Sequence, residues 1–116
     1  MNEAYIKQVF VNLIKNSIES FESQNTSNKI EIVTDIKWDH IIIEISDTGE
    51  GIQQENFELI FDPLISSKEE GMGVGLPFVR KIIFEHRGEI KVKESSASGT
   101  TFKITLPQYE FSDFNQ

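Results

Sequence analysis

The chain has 116 residues, 38% hydrophobic and 26% charged, and carries a formal net charge of −8 at pH 7. That is the composition of one globular domain with room for a single two-layer core, and its acidity makes nucleic acid and anionic membranes poor partners, because phosphate surfaces call for a basic face. Cysteine is absent, which excludes disulfide scaffolds, cysteine-ligated zinc and thiol nucleophiles, and no apolar run approaches the ~20 residues of a membrane span.

Residues 4–22 are expected to form an amphipathic helix, with Ile6, Val9, Phe10, Leu13, Ile14, Ile18 and Phe21 on its buried face at three-to-four spacing. A polar turn over residues 23–28 follows. Lys29–Lys37 and Ile41–Ser46 read as an antiparallel hairpin, with Ile30, Ile32, Thr34 and Ile36 on one side of its first strand. Asp47–Ile52 is a glycine-bearing loop, and Gln54–Phe61 fits a short helix stopped by Pro63. Residues 62–73 are polar and irregular. Gly75–His86 reads as a third helix: Pro77 suits its first turn, which sets the start near Leu76, and Gly88 offers a left-handed stop. Glu89–Glu94 and Thr100–Leu106 make a second hairpin turning over Ser95–Gly99, and residues 108–116 form a frayed tail. This order predicts an α+β two-layer sandwich with three helices on one face of a mixed sheet. It is not the strand–helix alternation of a dinucleotide-binding fold.

Three segments could carry chemistry. Asn12 and Asn16 are one helical turn apart at the border of the apolar face. They are either two polar residues at a core margin or amide oxygens directed into a cleft, where a hydrated magnesium ion would accept them. The segment Asp47-Thr48-Gly49-Glu50-Gly51 follows a strand directly. It is either a tight turn or a carboxylate placed to accept from an exocyclic amine, with glycines that let a flat ring approach the backbone. Gly71, Gly73 and Gly75 alternate ahead of a helix. Their amides and the helix N-terminus could hold phosphate, although neither a Walker loop nor a Rossmann fingerprint is present.

The combination is more specific than its parts. NLIKNSIES, DTGEGI, IFDPLISSK, GMGVGLPFVRKII and GTTF occur in that order. Together they resemble the N, G1, F and G2 boxes and the last strand of the ATP-binding catalytic domain of sensor histidine kinases, in the superfamily that includes Hsp90, DNA gyrase B and MutL. The resemblance spans residues 4–107, and the short segment between the F and G2 boxes is most similar to the nitrogen-regulator and sporulation kinase branch. It implies a Bergerat-type fold with a mixed, mostly antiparallel sheet of about five strands, a catalytic domain over residues 1–107 and a tail over 108–116.

The resemblance also implies the ligands and their partners: ATP and Mg2+. Asn16 would hold the magnesium and Asn12 would assist near the phosphates. Asp47 would accept from the adenine amino group, with Thr100 supporting that contact through water and Gly49, Gly51 and Ile52 shaping the adenine slot. Gly73, Val74, Gly75 and Leu76 would present amides to the phosphates. Lys68 would reach them from a lid over residues 62–73. Glu19 and Ser20 stand where relatives carry a lysine and an aromatic residue, Leu64 where an aromatic is common, Met72 where threonine is common, and Arg87 where glycine is frequent.

The acceptor histidine of the family lies on a separate dimerisation domain, so the chain is expected to be the catalytic piece of a larger kinase, monomeric by itself and cytoplasmic. A response regulator would be reached only indirectly. No catalytic residue is assigned. His40 and His86 match no phosphoacceptor motif: His40 is expected in a solvated turn and His86 in the last turn of a helix, where a cation meets the dipole. Members that hydrolyse ATP, and the serine kinases, carry a carboxylate where this chain has Asn12, and an amide cannot activate water or a serine hydroxyl. The alternatives are such an ATPase or serine kinase, or a nucleotide-binding interaction module without turnover.

Overall fold

A computed structural model describes residues 3–21, 27–62 and 72–108. Helix α1 (Glu3–Ser20) is followed by strands β1 (Ile30–Lys37) and β2 (His40–Asp47) and by two 3-10 turns (Gln54–Asn56 and Leu59–Phe61). Helix α2 (Met72–Glu85) and strands β3 (Glu89–Ser96) and β4 (Gly99–Pro107) complete the order. The two expected hairpins form and then pair with each other: the strand order is β1-β2-β4-β3, antiparallel at every described step. The α+β sandwich is the expected architecture, with four described strands where about five were expected. The short helix expected over Gln54–Phe61 is not a continuous helix. Bonds such as Phe57 N–H to Gln54 O (3.1 Å) and Asp62 N–H to Leu59 O (3.0 Å) close i→i+3 turns instead, as suits a segment too short to repay α-helix nucleation.

Alternation along β2, β4 and β3 points Ile43, Ile45, Phe102, Ile104, Ile90 and Val92 to the helix side, where all are buried. Val9 and Leu13 of α1 and Val79, Ile82 and Ile83 of α2 close the core from above. Phe61 lies edge-on to Phe102, with ring centroids 6.3 Å apart. The buried stripe of α1 is narrower than its apolar spacing suggests. It runs Val9, Leu13, Ser17, whereas Ile18 is 55% exposed. Ser17 is fully buried and its Oγ has no partner among the described residues.

Helix α2 begins at Met72, three residues before the expected Gly75, so Pro77 lies inside it rather than in its first turn. Proline lacks the N–H that would reach the Gly73 carbonyl, and the remaining ladder carries the helix across that gap. Its C-terminus also departs from expectation. Gly88 N–H bonds Ile83 O (2.9 Å) and Arg87 N–H bonds Phe84 O (2.9 Å), a Schellman pair. The left-handed residue in that pair is Arg87, at φ 63, not Gly88. Gly88 is needed for space instead, since a Cβ there would run into the Thr105 carbonyl oxygen.

Strand β1 is the exception to the packing. Its Ile30, Ile32, Thr34 and Ile36 do share the face of the β2 core residues, through the pairs Ile32↔Ile45 and Thr34↔Ile43. Yet every residue from Glu31 to Lys37 is exposed, with Ile36 at 60%. At its end the hairpin turns on Trp38, which has φ 59 and is 94% exposed. His40 is exposed, as expected.

Candidate functional site

The end of β2 brings the expected recognition residues together. Asp47 is the last residue of β2 and the cross-strand partner of Thr100, which opens β4 beside Gly99. Both side chains belong to largely buried residues. Asp47 Oδ1 accepts from Gly49 N–H (2.9 Å) and Thr100 N–H (3.3 Å). Both described hydrogen bonds to the Asp47 carboxylate go to this one oxygen, and Asp47 lines a cavity.

Two glycines hold this corner in shape. Gly51 (φ +87) passes so close to β3 that a Cβ would strike the Ser96 carbonyl oxygen, and Gly99 (φ +140) passes so close to β2 that a Cβ would strike the Asp47 carbonyl oxygen. Both positive φ values lie where an L side chain is strained. Further bonds fasten the loop: Glu50 N–H to Ser20 O (3.1 Å), and Ile52 N–H to Ser95 Oγ (2.7 Å). Ser95 Oγ in turn lies 2.7 Å from Thr100 Oγ1.

Two cavities meet at Asp47 and Thr100. The larger, about 340 Å³, is bounded by Glu94, Ser95, Ser96, Ser98 and Gly99, hydroxyl and carboxylate groups with no apolar wall for a ring. The smaller, about 160 Å³, has Ile52, Ile60, Leu76 and Phe102 as apolar walls and Asn16, Glu19, Ser20, Asp47, Glu50 and Thr100 as polar groups. An apolar slot with a few convergent polar groups is what a flat heteroaromatic base requires, so the smaller cavity is the candidate site.

Of the expected residues, Asn16, Asp47, Gly51, Ile52, Leu76 and Thr100 line this one cavity, and Gly49 serves it through its amide. Asn12 is beside it rather than on it. Its side chain packs against Gly75 of α2, 3.5 Å from where a Cβ would stand, and its Oδ1 accepts from Gln8 Nε2 (3.3 Å). Gly73 and Val74 lie in the first turn of α2, where helix amides lack intrahelical acceptors; Leu76 is already in the second turn. Lys68, Leu64, Gly71 and most of the expected lid over 62–73 lie outside the described residues. Glu19 and Ser20 line the cavity.

Sequence reasoning missed Phe102, Ile60 and Ser95. Phe102 had a signal: it is two residues beyond Thr100 on a strand and therefore on the same face. Ser95 had none, because its contact with Ile52 bridges 43 residues of sequence.

The donor set fits Mg2+ bound with a nucleotide. Among the described residues no cluster of three or more His, Asp or Glu side chains could hold a metal alone. An amide such as that of Asn16, which lines the cavity, would suit such an ion only where phosphates and waters supplied the other ligands.

A sheet backed by two helices, with a base-sized slot at the strand end and a glycine-bearing helix start beside it, is the layout of an ATP-binding domain of the ATPase/kinase class. The chain belongs to the histidine kinase-, DNA gyrase B- and HSP90-like ATPase family, whose model matches residues 1–110. Within it the similarity is to sensor kinases. Sporulation kinase C of Bacillus subtilis is 38% identical over 106 residues, covering 91% of this chain and 24% of that protein. Sensor protein FixL of Bradyrhizobium diazoefficiens is 36% identical over 102 residues, covering 88% and 20%. The catalytic domain of histidine kinase ThkA superposes with a TM-score of 0.76 at 33% identity, covering 90% of this chain and 67% of that one. The chain is thus an ATP-binding catalytic domain of the sensor histidine kinase type, and it spans about a quarter or less of the length of these curated relatives.

Proposed function

We propose that this domain binds Mg-ATP with adenine in the slot beside Asp47, and that it donates the γ-phosphoryl group to a histidine on another domain. The observation that carries this reading is the Asp47 carboxylate. One oxygen is committed to two backbone amides, the described bonds to this carboxylate end there, and the residue lines the slot. An exocyclic amine satisfies the second oxygen, and a hydrogen bond to a charged acceptor contributes about 1.5–3 kcal/mol. Ile52 and Leu76 flank the ring, and Thr100 meets its edge.

From that anchor the phosphates extend toward the start of α2, where Gly73 and Val74 offer amides and a favourable dipole end, while the Gly75 amide already has its intrahelical acceptor. Asn16 would hold the magnesium, which when bound neutralises phosphate charge, and Lys68 would add a cation. The work of these residues is positioning and charge neutralisation, the main part of phosphoryl-transfer catalysis. Asn12 supports histidine as the acceptor. It faces Gly75 beside the phosphate end, and an amide there cannot serve as base for water or a serine hydroxyl. A neutral imidazole is already nucleophilic and needs none. In this reading the domain works as a monomeric module on a histidine-bearing dimerisation domain in the cytoplasm, and a response regulator receives the phosphoryl group afterwards.

The test is calorimetric titration with ATP, with and without magnesium, followed by labelled ATP in the presence of a histidine-bearing acceptor domain. Magnesium-dependent binding and an acid-labile, base-stable label on the acceptor are expected. Rapid phosphate release by the domain alone would favour an ATPase instead.

A further inference from the structure

We infer that Ser95 is a specificity-determining residue of the nucleotide site, acting by fixing the hydroxyl of Thr100 as a hydrogen-bond donor toward the base. The inference rests on the adenine reading of the Asp47 slot and adds a residue to it.

A serine hydroxyl has one proton and two lone pairs. Ser95 Oγ lies 2.7 Å from Ile52 N, 2.7 Å from Thr100 Oγ1 and 3.3 Å from Gly99 O. The Ile52 amide can only donate, so it takes one lone pair of Ser95. The single Ser95 proton then has two possible acceptors. Thr100 Oγ1 stands at the optimum for O–H···O, whereas the Gly99 carbonyl is beyond the usual range. Ser95 is thus assigned to donate along the shorter of these two contacts, the one to Thr100. Its oxygen is polarised by the bond it accepts from Ile52, which strengthens the bond it gives.

Thr100 has no other side-chain partner among the described residues. With its oxygen accepting from Ser95, its own proton is left for the cavities that Thr100 lines with Asp47, and is assigned to the smaller one. The cavity edge then shows an acceptor, the Asp47 carboxylate, next to a donor, the Thr100 hydroxyl. That order matches a base carrying an exocyclic amine beside an unprotonated ring nitrogen, as adenine does. It is mismatched to guanine, which shows a carbonyl beside a ring N–H. The Thr100 proton acts directly or through one water. The same Ser95 oxygen holds the Ile52 amide, so the apolar wall and the polar edge share one anchor.

The experiment compares Ser95→Ala and Ser95→Thr with the unaltered chain, measuring Kd for Mg-ATP and Mg-GTP by calorimetry and Ile52 amide exchange in the nucleotide-free protein. In Ser95→Ala, ATP affinity is expected to fall about tenfold, the scale of one lost neutral hydrogen bond. GTP affinity should change far less, so the ATP/GTP preference narrows, and Ser95→Thr should restore it. Ile52 exchange should be slow in the unaltered chain and fast in Ser95→Ala. A parallel fall for both nucleotides, or no change in either, overturns the role of Ser95 while leaving the slot an ATP site. An unaltered chain that does not prefer ATP overturns both readings. Should Ser95→Ala fail to fold, an unprotected Ile52 amide in the unaltered chain is sufficient to refute the anchor, and a protected one sustains it.

Discussion

The two edges of strand β2 have opposite fates. On one side it pairs with β4, and at Asp47 the backbone is gripped from several directions: Thr100 across the ladder, Gly99 packed against its carbonyl, and Ser20 holding the following loop. On the other side it pairs with β1, whose residues 31–37 are all exposed on both faces. Both flanking strands alternate apolar and polar residues, so pattern alone does not separate them. Coverage does. A ligand site needs groups held to within a fraction of an ångström, and only the covered side of β2 provides that.

The sharpest way to break the contrast is to disturb the close approaches at the gripped corner. Gly99→Ala puts a methyl group into the Asp47 carbonyl at a φ that L residues avoid. We expect about 3 kcal/mol or more of lost stability by urea denaturation. Next come matched truncations on the two strands. Ile45→Ala, at a fully buried position, should cost about 2–5 kcal/mol. Ile36→Ala, 60% exposed on the same sheet face, should cost no more than about 0.5 kcal/mol. Equal costs would mean that β1 is packed in solution. The smallest effect has the opposite sign. Trp38 holds a positive φ in the β1–β2 turn while almost wholly exposed, so Trp38→Gly should stabilise by about 1 kcal/mol, read as a raised melting temperature.

The same contrast marks how far the sequence could be read. Helical spacing and strand alternation found both hairpins and both long helices, because those signals are local. The ordered motifs also placed Asp47 and Thr100 in one site, although they are 53 residues apart. What stayed hidden depends on tertiary neighbours. Nothing local says that β2 pairs with β4, or that the apolar side of β1 is exposed beyond Ile30 while Ile43 and Ile45 of β2 are buried. Proline is best tolerated in the first turn of a helix, yet Pro77 lies inside α2, which starts at Met72. Arg87 carries the left-handed cap, and the adjoining Gly88 gives space against Thr105. Ser17, a polar residue on the buried stripe of α1, has the spacing of Val9 and Leu13 but not their chemistry.

The central claim is that the second carboxylate oxygen of Asp47 reads the exocyclic amine of adenine. It is tested most directly by titrating the unaltered chain and Asp47→Asn with Mg-ATP and Mg-GTP under identical conditions. The unaltered chain should bind ATP much more tightly than GTP, and Asp47→Asn should lose about 1.5–3 kcal/mol of ATP binding, the range for a hydrogen bond to a charged group. Equal affinity for the two nucleotides in the unaltered chain, or unchanged ATP affinity in Asp47→Asn, would contradict it.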